Sequence, residues 1–491
     1  MDAAPPEDDP QRQPPNEQDE ASPQPDPHYP AALRMRTPWP WRLGIALAVV
    51  SLIIVAYLTQ PWIGGRGQAG FGVMCFFGIA AALSTNLRAV SWRTIACGFA
   101  LQLLFGLFVM KLEINGYRPG YEMLKAAAEA IAQFLQFSNA GASFVFGKLA
   151  DEKEMTPVFG PGSLVFAFTA LPPIIFVSSF FTVLYYFGVL QFIVRWMARV
   201  MMWLMGTSGA ETLSASANVF MGQTEAPLIV KPYVPRMTQS ELLALMVGGM
   251  ATISGGLMAV YIGAFKADAV AVLATSMMAA PCGLYMAKLL VPEQEEPDTR
   301  GAVKVATEKT HVNVIDAAAS GAADGLKLAL NVAAMLIAFL AFVAMFDYLL
   351  GMAHDQYDRF RSGSASEPRW SLSLIFGHLF GPLALLIGVE GSDIPRVGNL
   401  LGLKVVANEF VAYKTMSAQY LDVMTPRSHR LATYALTGFA NFGSVAIQLG
   451  GIGAMAPSRR HDLARLGGRA LLGGFLATLM NAAIAGILVA E

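Results

Sequence analysis

Apolar residues run along this chain in long blocks separated by short polar stretches. Blocks near 43–60, 68–85, 94–111, 163–189, 239–263, 267–290, 328–350, 430–453 and 468–489 approach or exceed the length that crosses a bilayer core, roughly 18–20 residues in a helix. The pattern predicts about nine membrane-spanning helices.

Two stretches break the pattern. Residues 207–234 carry Gly222-Gln223-Thr224-Glu225-Ala226-Pro227 near their middle, and residues 396–421 carry Ala407-Asn408-Glu409-Phe410. Ionisable residues amid apolar sequence, punctuated by Gly and Pro, predict re-entrant hairpins whose tips lie at membrane depth, where irregular backbone is tolerated only if protein or water lines it. A Gly-rich, Ser/Thr-containing span follows each hairpin, 248–256 in one case and 438–444 in the other, and one more span follows that. The unit occurs twice. The single span near 328–350 reverses the side of entry, so the predicted fold class is all-α integral membrane: a polytopic helical bundle with two re-entrant hairpins in an inverted-topology repeat. Such repeats place a solute site near the midplane, where broken helices meet.

Composition agrees with the pattern. The 491 residues are 55% hydrophobic and 14% charged, against roughly 25% charged in soluble domains. A net charge of −1 and the lack of a basic stripe interleaved with aromatics argue against nucleic-acid binding. Cys75, Cys97 and Cys282 lie in separate apolar blocks and build neither a CxxC motif nor a disulfide framework. The six histidines form no zinc-type pair. Residues 1–38, dominated by Pro, Gln, Asp and Glu, are expected to be a disordered tail. They supply no basic n-region, so the block near 43–60 is expected to stay as an anchor and not as a cleaved signal. If the spans alternate, Arg34, Arg36, Arg42, Arg88, Arg93, Arg195, Arg199, Arg236, Arg300, Arg459 and Arg460 share one side, with Arg427 and Arg430 opposite. The positive side reads as cytoplasmic, which puts the amino terminus inside.

Glu225 and Glu409 carry the chemistry. An ionised carboxylate at depth costs about 2.5–3.5 kcal/mol or more unless it is partnered or wet, so each has a use: binding a solute, closing a structural hydrogen-bond network, or relaying a proton. Gln223 and Thr224 beside Glu225 offer donors and acceptors together, which suits a flat heterocycle with a mixed edge. Glu409 with Asn408, Asn441 and Ser444 forms an acceptor-rich cluster that suits a diol. Asn218 and Thr252 supply neutral oxygens of the kind that coordinate sodium in transporters, although Asn and Thr in spans also bond between helices. Residues 197–205, with Trp196 and Trp203, read as an amphipathic helix at the interface. No His or Cys stands beside either carboxylate, which weighs against an intramembrane enzyme. Paired hairpins weigh against a channel.

At these residues the chain resembles the concentrative nucleoside transporter family of the sodium-coupled type. The segments 218–228, 407–413 and 438–444 are similar to its first hairpin, second hairpin and broken penultimate span, and the likeness runs over roughly 68–490. The resemblance implies a secondary active symporter that imports nucleosides such as uridine and adenosine, driven by a sodium gradient through an elevator-type movement. A proton-coupled relative is the alternative. It also implies a homotrimer in the lipid bilayer of the bacterial inner membrane, with Na+ as coupling ion and no other cofactor. On this basis 1–38 is a tail, 39–67 an added amino-terminal span, 68–190 scaffold spans with an interfacial helix, 191–291 the first transport repeat, 292–365 a linker with a scaffold span, and 366–491 the second transport repeat. Gln223, Thr224, Glu225 and Leu257 are implied to face the nucleobase, and Glu409, Asn441 and Ser444 the ribose. The implied sodium site takes the side chains of Asn218 and Thr252 and the carbonyls of Met221, Thr252 and Ile253. Gly443 stands where some relatives have serine.

Overall fold

A computed structural model describes residues 36–159, 166–169, 171–301, 311–360 and 369–489. The expected tail lies outside the described residues as far as position 35. The described residues are mostly helical: α1 (Trp39–Ala82), α2 (Trp92–Met110), α3 (Pro119–Phe146), α4 (Glu152–Phe159), α5 (Phe166–Thr169), α6 (Leu171–Tyr186), α7 (Val189–Met205), α8 (Gly209–Ala217) and α9 (Gln239–Ala251). There follow α10 (Gly255–Gly263), α11 (Ala269–Leu290), α12 (Val314–Phe360), α13 (Leu372–Leu386), α14 (Ile394–Val406), α15 (Glu409–Thr415), α16 (Pro426–Leu436), α17 (Phe442–Met455) and α18 (Arg460–Leu488).

Seven helices among the described residues are long and apolar enough to span a membrane. The difference from nine has local causes. The first two apolar blocks fall in the one helix α1, bent after Pro61 at Gly64, whose φ of 60° leaves the helical region. The block 430–453 is divided between α16 and α17, each too short to span, whereas 239–263, although broken between α9 and α10, still supplies one of the seven over Gln239–Met258. Among the helices outside the nine blocks are α3 and α13. α3 is amphipathic and carries Glu122, Lys125 and Glu129, and α13 is only 15 residues long.

Burial separates a centre from a periphery. The apolar windows of α9, α11 and α18 are 94%, 78% and 83% buried, whereas those of α1, α6 and α12 are 11%, 18% and 12% buried. Lipid tails are as apolar as leucine, so close packing of small residues takes over from hydrophobic burial in joining spans. α6 and α12 pair in this way: a Cβ on Gly325 would come within 2.7 Å of the Ile175 backbone, and Ser179 Oγ donates to the Ala318 carbonyl at 2.8 Å. α2, expected with α12 in a scaffold, packs on α11, α7, α3 and α18. α7 occupies the stretch read as an interfacial helix, with Trp196 and Trp203 exposed.

The repeated unit is present twice, as four α-helical pieces in the first copy and five in the second. In the first, α8 leads to a turn-rich segment holding 218–225, then α9, a break and α10, then α11; in the second, α14 and α15 flank Ala407-Asn408, then α16, a break and α17, then α18. The breaks touch. Phe439 N donates to the Thr252 carbonyl at 3.1 Å, and Gly438, at φ 147°, would place a Cβ 3.0 Å from the Ala251 carbonyl, so glycine is needed where the two broken helices cross.

Candidate functional site

Glu409 is positioned by helix caps. Asn408 has extended backbone, and its side chain accepts from Val411 N at 2.9 Å, which starts α15 and makes Glu409 its first residue. The positive end of a helix favours a carboxylate there. Asn441 caps α17 in the same manner, accepting from Ser444 N at 2.8 Å through Oδ1. With the oxygen used in this way, the amide nitrogen faces Glu409 and donates to Oε2 at 3.0 Å. Tyr261, on α10, donates to Oε1 at 2.8 Å. Glu409 is 4% exposed. Each carboxylate oxygen therefore has one donor, and of roughly four lone-pair positions about two remain for a ligand. Asn408, expected in this cluster, is committed to its own backbone.

Gln223 is held from α17. Its Nε2 donates to Ser444 Oγ at 3.1 Å, and its Oε1 accepts from Gln448 Nε2 at 3.2 Å. Gln448 also donates to the Met246 carbonyl at 3.0 Å, tying the clamp to α9. An amide has two donors and two acceptor positions, so Gln223 keeps one of each, which is a mixed edge held in fixed orientation. Ser444 links the two clusters, since its backbone belongs to the Asn441 cap and its hydroxyl belongs to Gln223. Thr224 places its methyl against Gly451 of α17. Glu225 folds back to accept from Gly222 N at 3.1 Å through Oε2 and is exposed. Leu257 lies in the first turn of α10, 4% exposed.

The third group lies where α8 ends. Asn218 is fully buried, and neither its Oδ1 nor its Nδ2 has a hydrogen-bond partner. An unpaired buried amide costs about 1–3 kcal/mol, so this side chain has both its donor and its acceptor open to a ligand. It abuts the last turn of α9, since a Cβ on Gly248 would lie 3.2 Å from Nδ2. Thr252 Oγ1 donates to the Gly248 carbonyl at 2.9 Å, which leaves the hydroxyl lone pairs free. Thr252 is extended at φ −118° and ψ 171°, and Ile253 follows it fully buried in the break. Met221 is half-buried beside this group, and Gly255 N donates to the Phe220 carbonyl at 3.2 Å, joining the hairpin tip to the start of α10. Broken-helix carbonyls and neutral side-chain oxygens together fit an alkali cation.

The structure links Gln223, Ser444, Asn441 and Glu409 through hydrogen bonds and adds Tyr261 and Gln448, which sequence reasoning did not select, while Glu225 bonds Gly222 N. Tyr261 looks like core filler in an apolar helix, whereas Gln448 was detectable as a lone amide in the apolar stretch of α17.

Comparison with known proteins covers most of the chain. The family model described as Na+ dependent nucleoside transporter C-terminus matches 271–486, its N-terminus counterpart matches 71–149, and one described as nucleoside recognition matches 167–268. The chain is 42% identical over 425 residues to an uncharacterized transporter of Haemophilus influenzae, covering 85% of this chain and 96% of that one. It is 39% identical over 468 residues to sodium/nucleoside cotransporter 1 of Homo sapiens, covering 91% of this chain and 68% of the relative. Among solved structures, CNTnw in an inward-facing substrate-bound state superposes with a TM-score of 0.78 at 41% identity, covering 86% of this chain and 97% of that one. A doubly substituted variant of the same protein in an outward-facing state gives 0.78 at 40% identity, covering the same shares. The chain belongs to the sodium-dependent nucleoside transporter family.

Proposed function

We propose that this protein is a sodium-driven symporter that imports nucleosides, uridine and adenosine among them, across the bacterial inner membrane. The observation that carries this reading is the residual hydrogen-bonding capacity of the two clamped side chains. Gln223 retains one donor and one acceptor for a nucleobase edge, and Glu409 retains two acceptor positions for the 2′- and 3′-hydroxyls of ribose. Leu257 covers the base, Thr224 and Glu225 line its polar side, and Asn441 and Ser444 hold the ribose end.

Sodium is the coupling ion in this reading, held by Asn218, Thr252 and the carbonyls of Met221, Thr252 and Ile253. The unpartnered Asn218 amide supports it. Asn218 immediately precedes the segment bearing Gln223, Thr224 and Glu225, so an ion joining it to the α9/α10 break orders the segment that meets the base. Sodium then binds with the nucleoside because each stabilises the same tip conformation. The repeats move together, carrying the site past a scaffold that includes α6 and α12, whose exposed faces are available for a homotrimer. The amino terminus is cytoplasmic.

Uptake of labelled uridine, adenosine and guanosine into proteoliposomes, with sodium and proton gradients imposed separately, tests the reading. Sodium-dependent, ribose-requiring accumulation is expected. Uptake driven by protons alone replaces the coupling ion and keeps the solute, and no accumulation under either gradient defeats the reading.

A further inference from the structure

The second repeat buries a lysine that the functional reading does not use. Lys404, near the end of α14, is 0% exposed in the middle of the apolar stretch 400–407. An ammonium at such depth is costly, and an intramembrane charge calls for a partner and a purpose. Its direct partners are neutral: the Ala435 carbonyl at 2.6 Å, Thr478 Oγ1 at 2.9 Å, and the face of Phe475, 5.8 Å to the ring centroid. A helix-end carbonyl with a side-chain hydroxyl is the donor set of an alkali-cation site, here filled by a cation on a covalent stem.

The position corresponds to the candidate ion site of the first repeat. Asn218, at the end of α8, abuts the last turn of α9, and Lys404, near the end of α14, bonds the last turn of α16. Both turns end at a helix break, and the breaks are joined through Phe439 N and the Thr252 carbonyl. Each helix end carries partial negative charge from its free carbonyls, so each break needs a cation beside it. Glu409 follows Lys404 by five residues and opens α15.

We propose that the Lys404 ammonium is a built-in cation occupying, in the second repeat, the position that Asn218 and Thr252 define for a dissociable ion in the first. It is a positioning residue, holding α14 on the end of α16 so that Glu409 stays aimed at the ribose. The inference rests on the nucleoside reading above. The consequence is functional asymmetry: sodium governs the base half of the site, and the ribose half is set permanently.

The test is equilibrium binding to the purified full-length chain of wild type, Lys404→Met and Lys404→Gln, with uridine and 2′,3′-dideoxyuridine over a range of sodium concentrations. Wild-type binding is expected to show a sodium Hill coefficient near one. Lys404→Met is expected to lower uridine affinity by about tenfold or more, the scale of a lost charge-assisted interaction, while dideoxyuridine binding and its sodium dependence change much less. Lys404→Gln, which keeps N–H donors without charge, follows Lys404→Met if charge is what matters. Unchanged uridine affinity, parallel loss of both ligands, or a wild-type Hill coefficient of two overturns the proposal. A wild-type chain that binds no nucleoside at all defeats the functional reading instead, which keeps the two failures apart.

Discussion

Asn441 stands between a helix terminus and a carboxylate: its Oδ1 accepts from Ser444 N at 2.8 Å while its Nδ2 donates to Glu409 Oε2 at 3.0 Å. One amide therefore fixes both the start of α17 and the direction of the Glu409 carboxylate. Asn441→Ala removes a cap worth about 1 kcal/mol and a hydrogen bond to a charged group worth about 1.5–3 kcal/mol. Uridine affinity should fall roughly ten- to a hundredfold, with a modest drop in melting temperature. Asn441→Asp should recover the temperature, because aspartate caps as well, but not the affinity, because it sets a second carboxylate against Glu409. Recovery of both would show that the amide donor is not needed.

Glu409→Gln tests the ribose assignment directly. The change is nearly isosteric and keeps an acceptor for Tyr261 or Asn441, but it removes the charge that strengthens bonds from ribose hydroxyls. Uridine uptake should be nearly abolished with the protein still folded, and 2′- and 3′-deoxyuridine should lose proportionally less. Normal uridine transport by this variant would remove Glu409 from the solute site.

These side chains show what the sequence exposes and what it hides. Glu225 and Glu409 stand out because charge at membrane depth is expensive, and the Gly and Pro around them mark the backbone breaks. The breaks inside 239–263 and 430–453 do not stand out. Thr252 and Asn441 are compatible with a continuous span, and the helix is interrupted because the two breaks satisfy each other through Phe439 and Thr252, a tertiary contact between residues far apart in sequence. Tyr261 is invisible for the opposite reason: its ring packs with Phe265, Phe410 and Tyr413 like any core aromatic, and only its hydroxyl reaches the site. Lys404 carried a signal as strong as that of either glutamate, since it too is an ionisable group in an apolar run. α3 escaped because its acidic and basic residues dilute the apolar face that packs on α2, α6 and α11.

Asn218→Ala combined with Thr252→Ala removes both side-chain oxygens proposed for sodium without adding charge. The apparent sodium affinity should fall by at least about tenfold before the maximal rate declines, and lithium should not restore it. Each lost oxygen is worth a fraction of the linkage that couples ion to nucleoside, typically about 1–3 kcal/mol in total. Sodium dependence that survives in the double variant places the ion elsewhere or assigns the coupling to protons.

A separate ionic cluster holds the first repeat together. Lys288, at the end of α11, contacts Glu211 Oε2 at 2.7 Å, Glu293 Oε2 at 3.0 Å and Ser240 Oγ at 3.0 Å, and Glu211 in turn accepts from Ser208 N at 2.8 Å in the capping box of α8. Removing the ammonium strands a buried carboxylate, a loss of about 3–5 kcal/mol in buried pairs. Lys288→Met should therefore lower the melting temperature sharply, and adding Glu211→Gln should recover much of the loss. A single variant as stable as wild type, measured by thermal unfolding in detergent, would show that water reaches the cluster.

The final prediction concerns which parts move. Phe134 on α3, Val177 and Phe181 on α6 and Met258 on α10 line one apolar cavity of about 430 Å³, so α3 and α6 face the first repeat across a loosely filled boundary. The repeats face each other across hydrogen bonds instead: Gln223 to Ser444, Gln448 to Met246, Tyr261 to Glu409 and Phe439 to Thr252. A boundary with few specific bonds can slide, whereas one fixed by directional bonds to the binding residues cannot slide without dismantling the site. In the carrier mechanism proposed above, both repeats travel as one body past α6 and α12. After replacement of Cys75, Cys97 and Cys282, cysteines at Val177 and Met258 joined by a short bifunctional thiol reagent should stop uptake while sodium-dependent uridine binding persists. A link between α9 and α18, both within the travelling body, should leave transport intact. Undiminished uptake with α6 tethered to α10 would rule out the sliding body and leave transport to movements of the hairpin tips alone.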